Sequence, residues 1–455
     1  MSTGERANRQ CGPARRRLLA LGLAAWAAPA RPAGRGADNN VGNSTDTPTA
    51  SNTSPTDDDL IQAGRALRFP RDHGAHTGAR IEWWYATGWL QGAGGRLLGF
   101  QLTFFRSRTG LALALPGRFA PRQLLFAHAA ISDIQAGTHH HAQRISRWSG
   151  DDLLPEAHAR RADTGLVLGR WTLQRESAPK AAALRRPPPQ GRGETLGAAR
   201  RLFLMSAATG QGGQTGQPEA GAANPAVLDR YWAQVAAPEA GFTLALQLLA
   251  TQPLLLQGEA GFSRKGPTPQ QASHYYSMPQ MAVRAQLSLA GKDQALSGRG
   301  WLDHEWSDQL LAGGAVGWDW IGINLSDGGA LTAFVLRGAA GRVLWAGGSH
   351  RPAPGSANRQ ATVRNFAPEE VVFSPLREWL SPASGARYPV QWRVQTPAGT
   401  FELRALLDNQ ELDSRASTGA VYWEGLAELL APGGARAGLG YLEMTGRAQP
   451  LKLGV

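Results

Sequence analysis

The chain has 455 residues and a single cysteine, Cys11. That residue stands before the first apolar run, so everything downstream of it is free of thiols. Disulfide staples, a cysteine nucleophile and thiolate zinc sites are excluded there, and stability must come from burial. Long apolar runs are equally rare. Past the stretch 18–28, no segment offers the roughly twenty consecutive apolar residues that a membrane-crossing helix needs. Two catalytic signatures are also missing, since neither a G-x-S-x-G elbow nor an H-E-x-x-H pair occurs. This argues against an α/β-hydrolase serine and against a zincin-type metal site. Helical periodicity is scarce.

Negative charge is in the minority, with 35 acidic residues against 47 basic ones and a formal net charge of +12. The excess is local. Residues 1–30 hold five arginines and one glutamate, and residues 180–201 hold Lys180, Arg185, Arg186, Arg192, Arg200 and Arg201 against Glu194. A nucleic-acid binder would instead cluster its cations on a folded face among aromatics. Nucleic acid is therefore not an expected partner.

What is present begins with an export pattern. Arg15-Arg16-Arg17 precedes Leu18-Leu19-Ala20-Leu21-Gly22-Leu23, and Ala28-Pro29-Ala30 supplies a small-residue cleavage site. This predicts a signal peptide over 1–30, of twin-arginine character, and a periplasmic or secreted product with no transmembrane segment in the mature chain. Residues 31–60, rich in Asn, Ser, Thr, Pro and Gly, read as a disordered linker. Pro187-Pro188-Pro189 and many Gly, Ala and Gln residues mark a low-complexity insertion near 178–226.

The remainder is strand signal. Trp83–Leu90 leads through Gln91-Gly92-Ala93-Gly94-Gly95 into Leu97–Phe105, a hairpin around a glycine turn. Further short runs are expected at 124–132, 165–174, 242–250, 281–289, 331–337, 343–347, 389–395, 400–407 and 439–446, whereas His139-His140-His141 reads as a solvated turn. A second unit resembles the first hairpin: Trp318-Asp319-Trp320 opens it, Ser326–Gly329 turns it, and Arg337 closes it as Arg106 closes the first. The repeat predicts a mainly antiparallel β fold of two packed barrel domains, 61–309 and 310–455.

The chemistry gathers at 300–324, where Asp303, His304, Glu305 and Asp319 interleave with Trp301, Trp306, Trp318 and Trp320. Strand alternation puts Trp301, Asp303 and Glu305 on one face and Leu302, His304 and Trp306 on the other. A carboxylate among indoles has a raised pKa and serves as a general acid, and aromatic faces stabilise developing cations. Hydrogen bonding to backbone at a domain junction would use the same residues. Arg80 and Glu82 lie two apart and are expected to pair on one face, with His76 nearby as a ligand or proton carrier. His128, on an apolar strand, is either a pocket group or a satisfied core histidine, and Ser273–Ser277 supplies hydroxyls.

Taken together, several stretches resemble the secreted AttH-like family, which is related to the carotenoid 1,2-hydratases. They are Glu82-Trp83-Trp84-Tyr85, Gly99–Arg106, Ala127-His128-Ala129, Tyr275-Tyr276-Ser277, Trp301–Trp306, Gly317–Trp320, Tyr422–Gly425 and Gly440–Glu443. The resemblance implies two lipocalin-like barrels, an apolar isoprenoid or lipid-like ligand, and cofactor-free addition of water. The histidine and tryptophan of the hydratases' Asp-His-x-Trp motif map onto His304 and Trp306. Their Tyr-x-Asp pair has no counterpart in Gly329–Val335, which leaves Asp303, Glu305 or Asp319 to supply the acid. The expected catalytic set is Asp303, His304, Glu305 and Asp319. Trp301, Trp306, Trp318, Trp320, Trp84, Glu82, His128 and Tyr276 are the expected substrate contacts, with no metal and no cofactor. Three functions fit: hydration or hydrolysis of an apolar substrate, a lipocalin-like carrier, and a structural envelope protein.

Overall fold

A computed structural model describes residues 60–110, 120–150, 156–176, 229–309, 311–355 and 362–451. The expected signal peptide, nearly all of the linker and all of the 178–226 insertion lie outside these. Within them the chain is almost entirely antiparallel β, and no helix is long and apolar enough to cross a membrane. Thirteen strands from Ile81 to Ser307 form one sheet, and ten from Ala315 to Met444 form a second. In each sheet the first strand is central, paired on one side with the second strand and on the other with the last. Ile81–Gln91 lies between Leu97–Arg108 and Lys292–Ser307, and Ala315–Leu325 lies between Ala330–Gly338 and Arg436–Met444. The sheets curl into two lipocalin-like barrels packed together. Thr138–Trp148 and Ala157–Ala159, the edge strands of the first, meet and nearly close it.

Both hairpins of the sequence repeat are present, with Gly94, Gly95 and Gly328 at positive φ in their turns. The register aligns the two units. Trp83 faces Phe105 with Arg106 next, as Trp318 faces Leu336 with Arg337 next. On the other side Tyr85 faces Asp303, as Trp320 faces Glu443. Asp303 and Glu443 thus occupy equivalent places in the two barrels.

The central strands are buried on both faces, so their sequences do not alternate between apolar and polar. In Ile81–Gln91, Trp84, Ala86 and Leu90 enter the core of the first barrel, while Tyr85 joins the cluster between the sheets with Trp301, Trp320, Phe334, Leu426 and Tyr441. Three sequence expectations are corrected. His139, His140 and His141 lie on the edge strand Thr138–Trp148, paired with Ser132, Ile131 and Ala130. Glu82 pairs with Arg106 across the strand pair, not with Arg80. The strand Ala420–Leu430 is absent from the expected runs, because buried Glu424 and Glu428 interrupt its apolar pattern.

Close approach of the sheets needs glycine at Gly322. A Cβ there would come 2.4 Å from Trp320 Cη2 and 3.2 Å from Trp301 Cε2, whereas one at Gly313 would meet nothing within 4 Å. Gly322→Ala should therefore lower the unfolding free energy by about 1–3 kcal/mol. Urea denaturation checks this, with Gly313→Ala leaving the midpoint unchanged.

Candidate functional site

The strand Lys292–Ser307 sends its residues to two different places. Even-numbered His304 and Trp306 enter the first barrel, and odd-numbered Asp303 and Glu305 face the second sheet. The expected catalytic set is thereby divided.

Inside the first barrel, Glu82, His76, His304 and Arg106 form one hydrogen-bonded cluster. Glu82 Oε1 accepts from His76 Nδ1 (2.8 Å) and His304 Nε2 (2.9 Å), and Glu82 Oε2 accepts from Arg106 Nε (2.8 Å). His76 Nε2 reaches Asp72 at 3.0 Å. His304 Nδ1 lies 3.1 Å from the Tyr276 hydroxyl, which lies 2.7 Å from His73 Nδ1. Trp84 stacks on His304 at 4.6 Å, and Trp306 on His76 at 3.6 Å. Burial alone would raise the Glu82 pKa, but the Arg106 charge and the two imidazole bonds outweigh it and hold the carboxyl well below its usual value. Burial lowers His304.

His76, Glu82 and His304 are also the one trio among the described residues with ligand atoms close enough to share a metal, all within 4.8 Å of one another. Their chemistry does not fit a divalent cation well. Both imidazoles already bond one carboxylate oxygen, and a guanidinium occupies the other. The cluster reads as a buried ion-pair network, whose members are costly to remove singly.

Between the sheets lies a cavity of about 260 Å³. Its walls are aromatic and aliphatic: Trp83, Phe105 and Phe126 from the first sheet, and Trp318, Trp320, Phe334 and Leu336 from the second. Four carboxyls interrupt them, Asp303, Glu305, Glu424 and Glu443, together with Tyr85, Tyr275, Tyr422, His128 and Lys265. Asp303 Oδ1 accepts from Ser277 Oγ (2.5 Å) and Trp301 Nε1 (2.8 Å). Even so, burial pushes its pKa up to about 7. Burial likewise takes Glu443 up to about 7, with the nearby Glu305 adding to it, and raises Glu424 well above its usual value, with the Glu443 charge adding to it. Glu305 accepts from Ser273 and is bridged by Lys265 Nζ at 3.1 Å. The Lys265 ammonium also lies 4.3 Å from the Phe334 ring centroid and 4.9 Å from that of Tyr275. His128 bonds the Tyr422 hydroxyl (2.7 Å) and Ser417 Oγ (2.9 Å), and burial lowers its pKa to about 3.

Of the expected residues, the cavity wall gathers Asp303, Glu305, Trp318, Trp320 and His128, and Trp301 orients Asp303 from behind. His304, Trp306, Trp84, Glu82 and Tyr276 have their side chains in the first barrel, and of these Glu82 also borders the cavity. Asp319 points into the second barrel, where Arg337 Nε (2.8 Å) and an Arg447 nitrogen (2.8 Å) hold it, so it does not face the cavity. Sequence reasoning missed Glu424, Glu443, Tyr85 and Lys265 as site groups. The hairpin repeat contained a signal for Glu443, which repeats the position of Asp303.

A carboxyl whose folded pKa exceeds its unfolded value stabilises the protein most below the unfolded value. That contribution disappears as pH rises through the folded one. For Asp303 the window runs from 3.8 to about 7, a span equivalent to roughly 4 kcal/mol. The stability of the parent relative to Asp303→Asn should fall as pH rises across this window, against a background that buried neutral histidines such as His128 and His274 make rise. Urea titrations of both proteins at stepped pH measure this.

The family model described as AttH-like matches residues 60–190 and 219–447. Among solved structures, a protein assigned to AttH from Nitrosomonas europaea is 40% identical, with a TM-score of 0.67, over 85% of this chain and 99% of that one. Kievitone hydratase from Nectria haematococca shares the fold at 12% identity, with a TM-score of 0.56, over 84% of this chain and 94% of its own. No curated protein gives a significant match. With the family model covering both sheets and the cavity between them, the chain belongs to the AttH-like family.

Proposed function

We propose that the protein adds water across a carbon–carbon double bond of an apolar substrate held in the cavity between the sheets. Asp303 is the proton donor. One observation carries this reading: the Asp303 carboxyl is buried in an aromatic wall with a pKa raised to about 7, so much of it is protonated at neutral pH. A carboxylic acid of that strength suits general acid catalysis near neutrality. Ser277 and Trp301 both donate to Oδ1, which fixes the carboxyl group's orientation. Protonation of the alkene leaves a carbocation, which the faces of Trp83, Trp318 and Trp320 stabilise. The hydratase among the structural relatives supports this class of chemistry for the fold. The isoprenoid or lipid-like substrate and the exported location belong to the same proposal, supported by the apolar walls and by the pattern at residues 15–30.

The carrier alternative shares the cavity and differs in one respect, since it has no need of a protonated Asp303. Purified protein is incubated with an acyclic polyene bearing trisubstituted end groups in ¹⁸O-water, and products are read by mass spectrometry. The expected result is an alcohol carrying the label. Asp303→Asn should bind the polyene as the parent does, by tryptophan fluorescence, and lose turnover by about 10²–10⁴-fold. Binding without labelled product in the parent protein would favour the carrier.

A further inference from the structure

On the second-sheet side of the cavity, Glu424 and Glu443 are direct cross-strand partners on neighbouring strands. Two carboxylates so placed repel one another, and the arrangement persists only if a proton or a hydrogen-bond donor stands between the charges. The register brings no arginine or lysine opposite them, whereas Asp319 and Glu82 each have a guanidinium. Glu424 is 2% exposed and its Oε1 has no hydrogen-bond partner. Tyr85, 6% exposed, sets its hydroxyl beside the Glu424 carboxyl, close enough for the two to interact, yet that hydroxyl makes no hydrogen bond of good geometry. Both residues line the cavity. A buried polar atom left unpaired costs about 1–3 kcal/mol. An acceptor and a hydroxyl side by side, neither in a well-formed bond, describe a place where one small hydroxylic group can bond both.

We infer that Tyr85 and Glu424, backed by Glu443, bind the oxygen of a hydroxyl group: the water that adds to the substrate, and afterwards the alcohol of the product. The inference deepens the hydration reading and rests on it for the origin of that oxygen. Asp303 gives its proton to one alkene carbon, and the π pair forms the new C–H bond. The water oxygen then forms the C–O bond to the cationic carbon. Its surplus proton passes to the carboxylate of the Glu424–Glu443 pair. Proton exchange from that pair to the Asp303 carboxylate restores the starting state, so the net change is alkene plus water to alcohol.

The test needs no turnover. The probes are a saturated tertiary alcohol, 2,6-dimethyloctan-2-ol, and its parent hydrocarbon 2,6-dimethyloctane, titrated by tryptophan fluorescence. The protein should prefer the alcohol, and Glu424→Gln and Tyr85→Phe should each reduce that preference, read as the ratio of alcohol to hydrocarbon affinity within each protein, roughly tenfold. Equal preference in all three proteins would overturn the inference. Loss of the preference in both variants supports the site whether or not hydration is observed, so the two readings fail separately. A crystal structure of the ligand-free protein gives a second check. An ordered water within hydrogen-bond reach of Tyr85 Oη and Glu424 Oε1 is expected, and a direct bond between those two side chains, with no water, would overturn the inference.

Discussion

The site depends on one constraint: the central strands of the first barrel are covered on both faces. Because strand side chains alternate, each successive residue enters a different compartment. Asp303 and Glu305 meet the second sheet, while His304 and Trp306 meet the first barrel's own core. A run of four consecutive informative residues therefore serves two separate environments. The same constraint accounts for Glu82-Trp83-Trp84-Tyr85, where the carboxylate and Trp84 turn inward and Trp83 and Tyr85 face the cavity.

The two compartments treat carboxyls in opposite ways, and the difference lies in the presence of a guanidinium. Glu82 is fully buried, yet Arg106 and two imidazoles keep it ionised. Asp303 is just as buried, but its partners are a hydroxyl and an indole, and neutral donors do not offset the loss of hydration. Charge in the first barrel thus fixes structure, and protonation in the cavity is available for chemistry. The second barrel repeats the division, with Asp319 held by Arg337 and Arg447 while Glu443 stays unpaired by any cation in its register.

Much of the fold was legible in the sequence. The glycine turns, the two matching hairpins and the strand runs gave an antiparallel two-barrel reading, because turn chemistry and β-rich composition act locally. The face assignments at Trp301–Trp306 also follow from period-two geometry alone. What was not legible is which face meets what. Nothing local reveals that His304 closes onto Glu82, some 222 positions away in the chain. Nor does it show that Asp319 finds Arg447 and turns from the cavity. Glu424 and Glu443 were hidden for a related reason: a glutamate in an otherwise apolar strand breaks the pattern that identifies the strand, and its meaning appears only when the partner strand is known.

The central claim is that the cavity keeps carboxyl groups neutral at physiological pH. Infrared difference spectroscopy of the carboxylic acid C=O stretch, taken across pH 4 to 9 on the intact protein and on Asp303→Asn, measures this directly. A protonated band that persists to neutral pH, titrates near 7 and loses intensity in Asp303→Asn is the expected result. A parent protein whose carboxyls have all ionised by about pH 5, as unperturbed carboxylates do, would contradict it.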